Sequence, residues 1–320
     1  MNKSILITRK LEDEVVSLLS PHFDIDMWEK AEEAIPREEL LERVAGKDGI
    51  LCMLTEKIDA ELLNTAGDQL KTVSTMSVGY DHIEINELKN RDITLGYTPN
   101  VLSESVADLT IALMLNAGRR IEEATQAAKS GEWGAWSPYW MTGQDLSGAT
   151  VGLIGMGKIA EEVAKRLNGF GCRVLYTSRT PKPELEKSLG IEACTLDQLL
   201  EQSDFVSVHA PLTSETKDMC DIELFRKMKA SAVFVNTSRG GLVNQDDLYL
   251  ALNSGQIYAA GLDVTTPEPL PTDSLLLELK NCLVLPHIGS ASIKTRAKMG
   301  KIAAENLIAG LNNTEFVYQV

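Results

Sequence analysis

The 320 residues are 44% hydrophobic and 24% charged, an ordinary soluble globular balance, and their number predicts two domains rather than one. With 31 basic against 46 acidic residues the formal net charge is −15, which excludes nucleic acid and anionic membrane as partners, since both need a basic surface. An anionic substrate stays open, because a few arginines can reverse the potential inside one cleft.

Five scattered cysteines (Cys52, Cys172, Cys194, Cys220, Cys282), never in a C-x-x-C pair, fit a reducing compartment and predict no metal site. The first apolar stretch is too short for a signal peptide, and no run approaches membrane-spanning length. Val317 to Val320 match no retention or peroxisomal address, so the expected location is the cytoplasm.

Short apolar runs alternate with helix-period segments from end to end, which predicts parallel sheets flanked by helices. A first set of strands is predicted over residues 4–7, 23–27, 49–54, 71–76 and 94–97, with helices over 11–19 and 37–44 between them. Residues 103–129 carry Val106, Leu109, Thr110, Leu113, Ala117 and Ile121 at helical spacing and predict one long helix. The Gly- and Trp-rich segment 131–148 reads as an irregular arm. A second set of strands follows over 150–154, 173–177, 205–209, 232–236, 259–264 and 282–285. The last predicted helix, 293–311, is placed to pack back on the first unit and make that domain discontinuous.

The strongest local signal is Val151-Gly152-Leu153-Ile154-Gly155-Met156-Gly157-Lys158-Ile159-Ala160. A buried strand runs straight into Gly-x-Gly-x-x-Ala, and a helix follows with Ile159, Val163 and Leu167 on one face. Gly155 permits the tight turn, Gly157 lets a pyrophosphate approach the backbone, and Ala160 lets helix and strand pack closely. Free N–H groups at the helix start then favour the phosphates. Gly155, Met156, Gly157, Lys158 and Ile159 are therefore candidate dinucleotide contacts. At the end of the second strand, Leu175-Tyr176-Thr177-Ser178-Arg179-Thr180 has no carboxylate for the ribose hydroxyls. Arg179 offers a fork for a 2′-phosphate and Ser178 and Thr180 offer hydroxyls, which predicts NADPH, with NADH possible.

Only four histidines occur: His22, His82, His209 and His287. Reduction of a 2-oxo acid needs a proton donor titrating near neutrality, and histidine suits that task. It also needs a cation for the carboxylate, where arginine's bidentate geometry serves. Arg239, Glu268 with Asp263, and His287 follow the fourth, fifth and sixth strands of the second set, at the carboxyl ends where open α/β sheets bind ligands. Glu268 beside His287 would favour the imidazolium and make it a donor near pH 7. His209 reads as structural, its backbone rather than its ring lining the cofactor; His22 reads as surface and His82, beside Asp81, as a local cap.

In these motifs the chain resembles the D-isomer-specific 2-hydroxyacid dehydrogenases over essentially its whole length. The carriers are Ser77-Val78-Gly79-Tyr80-Asp81-His82-Ile83, the turn over 155–160, and His209-Ala210-Pro211-Leu212-Thr213. Val235-Asn236-Thr237-Ser238-Arg239-Gly240, Gly261-Leu262-Asp263-Val264 with Glu268-Pro269, and Pro286-His287-Ile288-Gly289-Ser290 complete the set.

The resemblance implies an α/β fold of two doubly wound parallel-sheet domains, a flavodoxin-like substrate domain and a Rossmann cofactor domain, with a cleft between them. The substrate domain would be residues 1–100 plus 289–320, and the cofactor domain 101–288 with a dimerisation arm over about 101–148. Arg239 would bind the carboxylate and carbonyl, His287 would be the acid/base, Glu268 its partner, and Asp263 would meet the nicotinamide carboxamide. The Val78 and Gly79 amides, with Ser290, would complete the substrate site. His209, Pro211, Thr216, Thr237, Ser238 and Gly289 join the candidate cofactor residues. A homodimer is implied, and Trp136 of the Trp133, Trp136, Trp140 arm would reach a partner's substrate site, as in the glyoxylate/hydroxypyruvate reductases that the arm and residues 263–290 most resemble. His82 and Glu84 depart from residues commonly Asn and Asp, which bears on substrate ranking.

A formate dehydrogenase would lack the Glu268 partner, and a phosphoglycerate dehydrogenase would carry more cationic residues and regulatory sequence. A D-lactate-type substrate stays open, as does a dinucleotide-sensing corepressor role, which the compact ending and acidic balance disfavour. The expected activity is reduction of glyoxylate to glycolate and hydroxypyruvate to D-glycerate.

Overall fold

The computed structural model describes residues 2–320; Met1, the first residue of the predicted range 1–100, lies outside them. Two compact units result, one of Met1–Leu102 with Ala291–Val320 and one of Ser103–Ser290.

The first unit holds β1 (Lys3–Ile7), β2 (Phe23–Met27), β3 (Gly49–Cys52), β4 (Thr72–Thr75) and β5 (Thr94–Gly96). All pair in parallel in the order β2-β1-β3-β4-β5, the flavodoxin-type doubly wound arrangement. Both faces of this sheet are covered. Leu6, Ile50, Val73 and Leu95 feed one apolar cluster, and Ile5, Ile7 and Leu51 the other. Over 5–7 and 50–52 both faces are buried and the chain reads as a short apolar run, whereas the equally buried β4 is Thr-Val-Ser-Thr and is marked in the sequence by β-branched residues instead.

The helix Ile293–Asn312 closes one face, its start capped by Ser292 accepting from the Thr295 N–H. Leu307 and Leu311 enter the cluster with Ile5, each such burial contributing ~1.5–3 kcal/mol. Ser74 Oγ donates to Ala303 O at 2.8 Å, and Asn306 Nδ2 donates to Tyr97 O at 2.9 Å.

The second unit holds β6 (Thr150–Ile154), β7 (Arg173–Thr177), β8 (Glu192–Ala193), β9 (Phe205–Val208), β10 (Val233–Asn236), β11 (Ala259–Leu262) and β12 (Cys282–Val284). The parallel order is β12-β11-β10-β9-β6-β7-β8. From β6 the chain winds outward to β8, then crosses back to start β9 on β6's other side. The topological switch point therefore lies between β6 and β9, where ligands bind in such sheets.

Seven strands stand where six were expected. β8 is two residues long, exposed and at the sheet edge, so it carries no apolar run to read. The single helix expected over 103–129 is also two, Ser103–Arg119 and Ile121–Ser130. Arg120 breaks it at φ +54°, a left-handed conformation that costs an L residue about 1–2 kcal/mol. The break is held on both sides. Asn116 Oδ1 accepts the Glu122 N–H at 3.2 Å, and Arg120 forks onto Glu123 at 2.8 Å through Nε and Nη2. Periodicity continues through such a break and does not register it. Residues 132–149 contain no helix or strand.

Candidate active site

At the tip of β6 the chain turns at Gly155, whose φ is +97°. A Cβ there would lie 2.8 Å from the His209 carbonyl, so the turn tolerates no side chain. Gly155 N donates to Thr177 O at 2.8 Å and His209 N to Ile154 O at 2.7 Å, which ties the turn to the strand ends on both sides.

Gly157 heads the helix Lys158–Gly169, and no side chain caps that helix start. An added Cβ at Gly157 would meet nothing within 4 Å. Open space over uncapped N–H groups is the cradle a dinucleotide pyrophosphate requires, so these residues fit the predicted cofactor. Met156 is buried and Ile159 packs against the same cluster, so their side chains are core and only their backbone faces the cradle. Lys158 pairs with Glu161 at 3.3 Å.

At the tip of β7, Ser178 Oγ donates to Thr180 O, and Arg179 is exposed with no carboxylate partner among the described residues. After β9, Thr216 Oγ1 donates to Pro211 O at 2.6 Å and closes the loop that Pro211 opens. His209 is half-buried, its Nε2 3.0 Å from Ser207 Oγ, and desolvation pushes its ring down to about 4, so it stays neutral. Thr237 and Thr110 hydroxyls meet at 2.9 Å, and Ser238 Oγ donates to Ala210 O at 2.6 Å. These hydroxyls brace the β9 and β10 ends.

Arg239 leaves β10 in extended geometry at the start of the 3-10 turn Gly240–Leu242. Asn236 shapes that exit, donating from Nδ2 to Arg239 O at 2.9 Å and accepting the Ser238 N–H at 2.9 Å. Gly240 is obligatory, since a Cβ would fall 1.9 Å from Thr265 O.

His287 Nδ1 meets Glu268 Oε2 at 2.8 Å, their side chains 27% and 32% exposed. The other Glu268 oxygen accepts the Thr265 N–H at 2.9 Å. Burial pushes the Glu268 carboxyl up, but the His287 hydrogen bond and charge, the amide bond and the charge of Arg239 outweigh it and leave it below its ordinary value. His287 itself sits at φ +54°. That conformation is held by Asp263, 1% exposed, whose oxygens accept the Ile288 and Gly289 N–H groups, each at 2.7 Å. Burial raises the Asp263 carboxyl despite those two bonds. Ser290 is half-buried at the end of the same loop.

In the first unit, Val78 and Gly79 are half-buried, and their N–H groups have no acceptor among the described residues. Ser77 Oγ donates to Gly79 O at 2.7 Å and shapes this loop. His82 follows Asp81 in this loop. Its Nε2 meets Thr75 Oγ1 at 3.2 Å, and Glu84 heads the following helix with no side-chain cap. Trp136 is 85% exposed, so it finds no packing partner within its own unit.

Sequence reasoning missed the residues that hold the site. Gln245 grips the Glu268 loop through both backbone groups of one residue, its Oε1 accepting the Thr266 N–H at 2.8 Å and its Nε2 donating to Thr266 O at 2.5 Å. Thr265 Oγ1 donates to Pro267 O at 2.8 Å. A Gln 23 positions before the glutamate it serves carries no local signal. A cavity of about 320 Å³ lined by Asn116, Arg120, Tyr258 and Lys280 lies at the amino ends of β11 and β12, the opposite edge from this chemistry.

A glycine cradle at the switch point and a charged dyad at the strand ends define a dinucleotide-dependent oxidoreductase. Residues 111–289 match the NAD binding domain of the D-isomer specific 2-hydroxyacid dehydrogenases. A glyoxylate reductase/hydroxypyruvate reductase of Homo sapiens is 47% identical over 310 residues, 96% of this chain and 94% of that protein. A crystal structure of a Thermus thermophilus protein superposes with TM-score 0.93 at 41% identity, covering 99% of both chains. The Sinorhizobium meliloti NADPH-dependent glyoxylate/hydroxypyruvate reductase, solved with NADP and malonate, gives TM-score 0.84 at 31% identity over 100% of this chain and 97% of that one. The chain belongs to the D-isomer specific 2-hydroxyacid dehydrogenase family.

Proposed function

We infer that the chain reduces glyoxylate to glycolate and hydroxypyruvate to D-glycerate, preferring NADPH. The observation that carries this reading is the 2.8 Å His287–Glu268 pair beside Arg239. When bound, the nicotinamide supplies the hydride. Glu268, fixed by the Thr265 amide and held ionised, faces Nδ1 at 2.8 Å and orients the ring. Nε2 of His287 then delivers its proton to the carbonyl oxygen as that oxygen gains charge. Arg239 takes the substrate carboxylate in a fork, with Ser290 of the same unit beside it. Asp263 keeps the His287 loop in its left-handed bend and offers its remaining lone pairs to the carboxamide.

Relatives named as glyoxylate and hydroxypyruvate reductases support the substrate class. Support for NADPH comes from Arg179, exposed and unpaired among the described residues, and from the NADP-bound Sinorhizobium meliloti structure. The exposed Trp133, Trp136 and Tyr139 suit a homodimer in which Trp136 serves a partner's site. Reduced-cofactor absorbance is followed with glyoxylate or hydroxypyruvate, in parallel with NADPH and NADH. Rapid oxidation favouring NADPH is expected; no oxidation by protein that binds dinucleotide removes the proposed activity.

A further inference from the structure

The Arg179 loop has an anchor that no cofactor contact explains. Tyr176 lies on β7 with 1% of its surface exposed, its ring packed in the apolar cluster of the β6 face. Its hydroxyl emerges beneath the loop 178–182. There it accepts the Lys182 N–H at 2.8 Å and donates to Glu186 Oε1 at 2.6 Å. Glu186 lies on the helix Pro183–Leu189, whose first turn is itself formed on Lys182, with the Leu185 and Glu186 N–H groups donating to Lys182 O at 2.9 and 3.0 Å. Strand, loop and helix thus converge on one buried phenol. Ser178 Oγ closes the turn above it on Thr180 O, and Arg179 sits at the apex.

We propose that the Tyr176–Glu186 pair is a positioning clamp that sets the Arg179 loop for the cofactor's 2′-phosphate, and so sets the discrimination between NADPH and NADH. This rests on the NADPH reading above. A fork on a phosphate is strong only when its direction is fixed beforehand, because ordering a free loop at the moment of binding consumes the interaction. The clamp groups are taken up by each other and by the Lys182 N–H, so they act through the loop. Only the loop end that NADH does not use depends on them, so the clamp acts on one cofactor and leaves the other alone.

The test is direct binding of NADPH and NADH to the full-length protein by titration calorimetry, without turnover. Glu186→Ala and Tyr176→Phe are each expected to weaken NADPH about tenfold, the worth of one hydrogen bond to a charged group, and to leave the NADH Kd unchanged. Glu186→Gln, which still accepts from the phenol, should restore most of the preference. Glu186→Ala keeps the buried ring, so the test survives if Tyr176→Phe fails to fold. Equal weakening of both cofactors, or of neither, overturns the clamp. Arg179→Ala separates the two readings. A preserved NADPH/NADH ratio in that variant removes the NADPH reading and the clamp with it. A collapsed ratio there, beside unaltered Glu186→Ala and Tyr176→Phe, overturns the clamp alone.

Discussion

The carboxyl edge of the second sheet is equipped in two different ways along its length. Around β6 the ligand-facing surface is backbone. Gly155 bends, Gly157 leaves room, and Met156 and Ile159 turn their side chains into the core. Around β10, β11 and β12 the surface is side chains, and each is pinned by another residue, some near in sequence and some far. Gln245 and Thr265 hold the Glu268 loop, Asp263 holds the bend at His287, and Asn236 holds the exit of Arg239. A phosphate is met well by any properly spaced row of N–H groups, whereas proton transfer requires one atom in one direction. The half that binds can be built from the chain's own turn. Chemistry needs a scaffold around every reacting group.

That contrast breaks most directly at His287. His287→Ala should lower turnover by about 10²- to 10⁴-fold, the range for a lost general acid, with dinucleotide affinity unchanged. Comparable turnover in steady-state assays would remove His287 from its role. Arg239→Ala should cost about a hundredfold in kcat/KM, and Arg239→Lys should recover little because the charge returns without the fork. Full recovery by lysine would reduce Arg239 to a simple charge.

The two glycines sharpen the comparison. Gly157→Ala meets open space, so unfolding by denaturant should be unchanged while dinucleotide Kd rises about tenfold through one obstructed phosphate bond. Gly240→Ala drives a methyl into Thr265 O and should destabilise by about 1–3 kcal/mol in the same unfolding experiment. The reverse pattern, with Gly157→Ala unstable and Gly240→Ala silent, would contradict the division of labour.

A smaller effect concerns acid stability. Glu268 is held below its ordinary value, so its contribution is present above the unfolded carboxyl range and is lost as pH falls through the lower folded value. Glu268→Gln has no such component. The stability gap between wild type and Glu268→Gln should therefore close as pH is lowered into that range; a constant gap would show the carboxylate is not favoured by folding.

Much of this was legible in the sequence, and the reasons differ by element. Parallel strands buried on two faces, as over 151–154 and 233–235, leave apolar runs that periodicity detects. The turn over 155–160 is legible because each position has its own steric reason. Arg239, Glu268 and His287 could be gathered because each follows a strand end, and strand ends converge in a parallel sheet. What stayed hidden acts through single side chains at spacings that follow no helical or strand period. Asn116 capping a second helix, Gln245 gripping Thr266, His82 turned to Thr75 and Tyr176 holding Lys182 leave no periodic mark. The break at Arg120 runs against that residue's own backbone preference, and β8 is too short and exposed to announce itself.

The claim at the centre is that the Glu268 carboxylate fixes the His287 ring for proton delivery, and kcat for hydroxypyruvate reduction by Glu268→Ala tests it most directly. Turnover should fall about tenfold or more, because the general acid loses the hydrogen bond that orients it, while the dinucleotide Kd stays at its wild-type value. Wild-type turnover in Glu268→Ala would contradict the account.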